Sequence, residues 1–146
     1  MVKTAIPTVK VLMTAFPYHL SSKAPLSDAE QLMAEKQIRH LVITREDGGF
    51  SLLSERDLQH HRALYGGRIS GDLLVGDICA DEAICADSDD PIDRVLDAMA
   101  EQHLGSVVVL RQGELAGIFT TTDACRHFAE HLRKEHGSSD TPDLIA

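Results

Sequence analysis

Displaced by 66 positions, the stretch 9–63 aligns with the chain's own continuation without a gap. Val9 falls on Val75, Ser22 on Ser88, Pro25 on Pro91, and Met33-Ala34-Glu35 on Met99-Ala100-Glu101. Further on, Val42 meets Val108, Arg45 meets Arg111, Asp57 meets Asp123, and His61 and Ala63 meet His127 and Ala129. Between these identities the apolar positions agree in kind: Ile38 with Leu104, Leu41 with Val107, Ile43 with Val109, Leu53 with Phe119. A duplicated unit of this sort buries its apolar face against its copy, and any cleft between the copies has a pseudo-symmetric twin. That restricts where a functional site can lie.

The 146 residues fit one domain of common size, or two small halves sharing a core. A half of about sixty residues buries too little surface to be comfortable alone. No run of eighteen apolar residues exists, which excludes a helical membrane span. The N-terminus, Met1-Val2-Lys3-Thr4-Ala5-Ile6-Pro7, lacks the apolar core of a signal peptide. Cys79, Cys85 and Cys125 are odd in number, form no Cys-x-x-Cys pair, and are expected to be packing residues in a reducing cytoplasm.

The net charge of -9 is unevenly placed. Asp77, Asp81, Glu82, Asp87, Asp89, Asp90, Asp93, Asp97 and Glu101 crowd one stretch, relieved only by Arg94, while the first repeat carries Lys10, Lys23, Lys36, Arg39, Arg45, Arg56 and Arg62. Nucleic acids and anionic membranes call for a basic face, so neither is an expected partner. The acidic stretch reads as a solvated surface.

Each repeat carries the same local signals. Pro25 or Pro91 opens a helical stretch, where a missing amide hydrogen costs nothing. Asp90 is a plausible N-cap in the second copy. In the first, Ser27 and Glu30 make an S-x-x-E capping box that leaves the start open by two residues. Ala29, Leu32, Met33 and Ala34 form an apolar stripe matched by Val95, Ala98, Met99 and Ala100. Leu41-Val42-Ile43 and Val107-Val108-Val109-Leu110 read as buried strands. Turns at Glu46-Asp47-Gly48-Gly49 and Arg111-Gln112-Gly113-Glu114 lead each into a hairpin partner. Second helices are predicted at about 54–65 and 120–132, and short lead-in segments begin at Val9 and Val75.

The second copy reads Gly113-Glu114-Leu115-Ala116-Gly117-Ile118-Phe119-Thr120-Thr121-Thr122-Asp123, and the first Ser51-Leu52-Leu53-Ser54-Glu55-Arg56-Asp57. With Val9-Lys10-Val11-Leu12-Met13-Thr14 and Ile38-Arg39-His40-Leu41-Val42-Ile43, this resembles the tandem cystathionine-β-synthase (CBS) domain pair. Ser51 stands where that family favours glycine. The expected fold is α+β: two pseudo-symmetric CBS repeats, each a small three-stranded mixed sheet covered by two helices, packed through their sheets. Residues 1–136 would form the paired module, with a first repeat at 9–65, a linker at 66–74 and a second repeat at 75–132; 137–146 would be a disordered tail.

The resemblance implies a nonenzymatic regulatory or sensor module with a cleft between the repeats. Family members often bind adenosine nucleotides or adenosyl compounds there, so AMP, ADP, ATP and S-adenosylmethionine are the expected ligands. It implies no cofactor or metal. The partners it implies are a homodimeric copy, since such pairs commonly form a flat disc, and an unidentified regulated protein.

Two positions carry most of the functional weight. Ser54-x-x-Asp57 and Thr120-x-x-Asp123 each sit where a strand turns into a helix, so hydroxyl and carboxylate can cap that helix. The same place suits an adenosine phosphate: free amides at the helix start favour phosphate, and a carboxylate accepts ribose hydroxyls. Asp57 and Asp123 resemble the family's ribose-binding aspartate. Arg56 can clamp phosphate, whereas its counterpart Thr122 is uncharged, and Arg39 and His40 are matched by Gly105 and Ser106. A site at Asp57 is therefore expected to prefer the more phosphorylated ligand. Tyr18 and His19, with counterparts Ile84 and Cys85, fall where the family places its first strand and are expected as pocket walls.

Other chemistry finds little support. His127 and His131 stand four apart, with His136 following, but no ligand set completes a tetrahedral site. No Gly-x-Ser-x-Gly and no phosphate loop with lysine occurs. The rival reading is an interaction scaffold that binds no small molecule, in which Ser54, Asp57, Thr120 and Asp123 only cap helices.

Overall fold

The computed structural model describes residues 4–67, 71–79 and 81–139. The first half runs α1 (Val9–Leu12), β1 (Thr14–Ala15), β2 (His19–Ser21), α2 (Leu26–Lys36), β3 (His40–Thr44), β4 (Phe50–Ser54) and α3 (Glu55–Leu64). The second runs α4 (Val75–Ile78), β5 (Cys85–Asp87), α5 (Ile92–Gln102), β6 (Ser106–Arg111), β7 (Glu114–Thr120) and α6 (Thr121–His136). In each, a helix crosses between two parallel strands and a hairpin adds an antiparallel third, giving the orders β2-β3-β4 and β1-β7-β6-β5. The architecture is α+β, two small mixed sheets with their helices.

Strand periodicity distributes the apolar residues among three cores. Leu41 and Ile43 point toward the helices of their own half, joining Leu26, Met33 and Leu53. Val42, between them, faces the other way and meets Val108 and Ile118 of the second sheet. Alternation along a strand thus lets one continuous apolar run serve both a helix layer and a sheet-to-sheet seam. Val107, Val109 and Phe119 fill the corresponding core of the second half with Ile92 and Met99.

The lead-in segments are exchanged between halves. Val9 is buried in the second core and Val75 in the first. Val9 N–H donates to the Asp90 carbonyl at 2.9 Å, and Val75 N–H to that of Ala24 at 2.9 Å. Each core therefore borrows a valine from the other copy.

The second sheet has four strands where three were expected, since β1 pairs antiparallel with β7. Gly117 permits this: a β-carbon there would stand 2.8 Å from the Thr14 carbonyl oxygen and inside contact distance of Met13 Sδ. The first half has fully buried Ser51 at that position, and its hydroxyl donates to the Asp81 carbonyl at 2.7 Å. Among the described residues, no strand is added beside β4.

Several local details correct the sequence reading. Pro25 and Pro91 are themselves the N-caps of α2 and α5. Ser27 lies inside α2 and Glu30 pairs with Arg62 at 3.0 Å, so that capping box does not form. Asp90 instead accepts the Asp87 N–H at 2.9 Å, closing the turn before Pro91. Helix α6 runs past Leu132 to His136, and its last turn carries Arg133, Lys134 and His136, cations that suit a helix C-terminus. Of the cysteines only Cys79 is buried, its thiol donating to the Leu52 carbonyl at 3.0 Å; Cys85 and Cys125 are exposed. Residues 137–139 carry no regular structure, while 140–146 and linker residues 68–70 lie outside the described residues.

Candidate functional site

Two clefts open where the halves meet, and the 66-residue offset relates them. The larger, about 730 Å³, is lined on the first half by Leu52, Ser54, Arg56 and Asp57 and on the second by residues 103–106. The smaller, about 430 Å³, is lined by Ile118, Thr120, Thr122 and Asp123, facing residues 37–40. Each aspartate thus looks across at the other half's helix-to-strand passage. Both volumes fall in the range of small-molecule sites.

Those passages turn sharply. Gln37 and His103 end α2 and α5 in the left-handed conformation, with φ of 52° and 55°. Such caps free the chain to reverse at once into β3 and β6, at some cost for a residue other than glycine. The reversal delivers Arg39 and His40, or Gly105 and Ser106, to the seam.

Each aspartate closes a complete capping box. Ser54 N–H donates to Asp57 Oδ2 at 2.8 Å, and Asp57 N–H donates to Ser54 Oγ at 3.1 Å. Among the described residues Asp57 Oδ1 has no hydrogen bond, and the side chain is exposed. Capping therefore occupies one oxygen of a residue that lines the larger cleft and leaves the other without a hydrogen bond among the described residues. Asp123 differs in being only 7% exposed. Its Oδ2 accepts from both N–H and hydroxyl of Thr120 at 3.0 Å, while Oδ1 accepts from the Thr14 hydroxyl at 3.5 Å and lies 3.6 Å from Arg126 Nη1.

The cations do not divide between the clefts as they divide between the copies. Arg56 lines only the Asp57 cleft, but Arg39, His40 and Thr122 line both. Arg39 is an exposed side chain whose nearest carboxylate is Glu55, at 3.8 Å. Burial pushes the His40 imidazole below its ordinary pKa; the nearby charges of Asp57 and Asp123 oppose that shift, and Arg39 adds to it.

Of the twelve residues singled out from sequence, Ser54, Arg56, Asp57, Thr120, Thr122, Asp123, Arg39 and His40 converge on these clefts. Tyr18, His19, Ile84 and Cys85 line neither one. Their chain is engaged in the parallel pairing: the carbonyls of Tyr18 and Ile84 accept from Val42 and Val108, and the Lys36 ammonium sits 5.5 Å from the Tyr18 ring centre. Other lining residues outside that set include Thr14, Leu52, Glu55, His103 and Ile118. The signal for the 103–106 wall was already in the repeat alignment, which sets it opposite Arg39 and His40. His127, considered for metal, donates from Nε2 to the Leu12 carbonyl at 3.0 Å.

The CBS domain family model matches this chain twice, at residues 9–63 and 75–130. The chain belongs to the CBS-domain family, as a tandem pair. None of the curated protein sequences matches it. Among solved structures it is similar to a CBS domain protein from Pyrobaculum aerophilum complexed with AMP, at 22% identity, 88% coverage of this chain, 99% of that chain and a TM-score of 0.74. A CBS domain pair in complex with 5′-methylthioadenosine and S-adenosyl-L-methionine shows 23% identity, coverages of 87% and 99%, and a TM-score of 0.74. Hypoxic Response Protein I, with two coordinated zinc ions, shows 26% identity, coverages of 83% and 98%, and a TM-score of 0.69. Among the described residues no helix is long and apolar enough to cross a membrane.

Proposed function

We propose that this protein is a nonenzymatic regulatory module that takes an adenosine nucleotide or adenosyl compound between its two repeats, and acts as a cytoplasmic homodimer on a partner protein. One observation carries the reading: Asp57 spends a single oxygen on its helix cap and offers the other to a cleft that also holds Arg56 and the start of α3. Ribose hydroxyls donate to that oxygen, while helix amides and the guanidinium receive phosphate. Asp123 takes the equivalent place beside Thr122 instead of an arginine, and a ribose there would have to displace or share the Thr14 hydroxyl at Oδ1. The AMP, 5′-methylthioadenosine and S-adenosyl-L-methionine held by structural neighbours support the same ligand class.

Because each cleft has walls from both halves, a bound ligand favours one relative orientation of the repeats, and that orientation is what a partner reads. The scaffold reading draws on one observation, that Ser54 with Asp57 and Thr120 with Asp123 form complete capping boxes. A thermal-shift series with AMP, ADP, ATP and S-adenosylmethionine separates the two. A ligand at a hundred times its Kd adds about 2.7 kcal/mol of apparent stability, raising Tm by about 5–10 °C in a chain of this size. No shift with any of the four at millimolar concentration would leave the scaffold standing.

A further inference from the structure

Arg39 has no business in two places by symmetry alone. Its counterpart Gly105 lines only the Asp57 cleft, as the twofold relation requires, yet Arg39 lines the Asp123 cleft and the Asp57 cleft as well. The side chain is long, 82% exposed, and leans on Glu55 across a loose 3.8 Å contact that water screens strongly. The Asp57 cleft has a second guanidinium in Arg56; the equivalent position of the Asp123 cleft is Thr122. Arg126 stands behind Asp123, 3.6 Å from Oδ1, and does not line that cleft. Arg39 is thus the one guanidinium lining the Asp123 cleft among the described residues.

We infer that the two clefts compete for Arg39, so that one chain takes one phosphorylated adenosine ligand tightly and a second only weakly, its Asp123 cleft favouring an adenosyl ligand without phosphate. The inference rests on the adenosine reading above. A phosphate in the Asp57 cleft displaces Glu55 as the partner of Arg39 and draws the guanidinium to that side. The Asp123 cleft then keeps its ribose acceptor, helix start and apolar wall but loses its cation. An uncharged nucleoside makes no demand on Arg39, so it fills either cleft without affecting the other. Coupling of this kind is a differential affinity between states, and about five- to 150-fold is its usual size.

Calorimetric titration with AMP and with adenosine tests it. Asp57→Ala disables the larger cleft, and AMP then reports the Asp123 cleft with its neighbour empty. The expected result is that the second AMP step of the unmodified chain is at least about fivefold weaker than the single step of the Asp57→Ala chain. Arg39→Gln should bring that ratio to near one, and adenosine should show no ratio in any chain. Equal steps, persistence of the ratio in Arg39→Gln, or an Asp57→Ala chain that takes no AMP would each overturn the coupling. Failure of the unmodified chain to bind either probe removes the adenosine reading and this inference together, whereas two independent AMP sites remove only the inference.

Discussion

Asparagine at position 57 separates the two duties of one carboxylate. In the folded chain Asp57 Oδ2 accepts the Ser54 N–H at 2.8 Å while Asp57 N–H donates to Ser54 Oγ at 3.1 Å. An asparagine oxygen can keep the first bond, and the second, made by backbone, is untouched. What disappears is the acceptor at Oδ1, replaced by an NH2 that only donates, together with the negative charge. Charge at a helix N-terminus contributes about 0.3–1 kcal/mol, which in a chain of this size moves Tm by about 1–4 °C. A ribose hydroxyl on an ionised carboxylate is a charged hydrogen bond of about 1.5–3 kcal/mol, so its loss weakens AMP by about ten- to 150-fold. Calorimetry gives the affinity and urea denaturation the stability, each on the same preparations. An Asp57→Asn chain with little change in stability and a Kd within about twofold of the unmodified chain would refute the ribose assignment and leave the carboxylate as a cap.

Asp123→Ala should cost more stability than Asp57→Ala, about 1–3 kcal/mol against about 0.5–1, because Asp123 is buried and leaves Thr120 and Thr14 short of an acceptor; urea midpoints measure both. Gly117→Ala should destabilise by about 1–3 kcal/mol, since the added methyl meets the Thr14 backbone at 2.8 Å, and an unchanged denaturation midpoint would mean β1 moves aside freely. His40 supplies a pH dependence. Its folded-state pKa lies below 6.5, so on acidification the unfolded chain takes up this proton first; the His40 contribution is fully present above about pH 6.5 and is lost as pH falls toward the lowered value. The stability difference between pH 7.5 and 5.5 should therefore shrink in His40→Gln, and an equal difference in both chains would assign the dependence to other groups.

The duplication was legible because it rests on matched residue types, and buried strands such as Leu41-Val42-Ile43 show their environment in their composition. The aspartates were legible for a related reason: a hydroxyl three residues before a carboxylate at a strand-to-helix junction is a local pattern with a local geometry. What stayed hidden was long-range. Nothing near Val9 says that it packs with Phe119, or near Val75 that it packs with Leu26, because an exchange of lead-in segments leaves every local propensity unchanged. Sequence shows Arg39 only as a cation on the first copy's elements, while its position in space puts it on both clefts. The helix starts at Pro25 and Pro91 were misjudged by a residue or two, the ordinary ambiguity of a terminus where several capping residues stand close together.

The exchange also bears on how binding is felt elsewhere. Thr14 belongs to the first copy, pairs through β1 with the second sheet, and lines the Asp123 cleft while donating to Asp123 Oδ1. A ligand that claims Oδ1 must therefore displace or share the contact that anchors β1 to the second half. The next turn of the same segment is held by Leu12, whose carbonyl accepts from His127 on α6 at 3.0 Å. The cap of α6, the exchanged strand and the cleft wall are thus joined in one short chain of contacts. In the Asp57 cleft, among the described residues, Asp57 accepts no hydrogen bond from the lead-in segment of the second copy. Duplication supplied two clefts of one design, and the segment crossing from the first copy ties the Asp123 cleft to the position of the N-terminal strand.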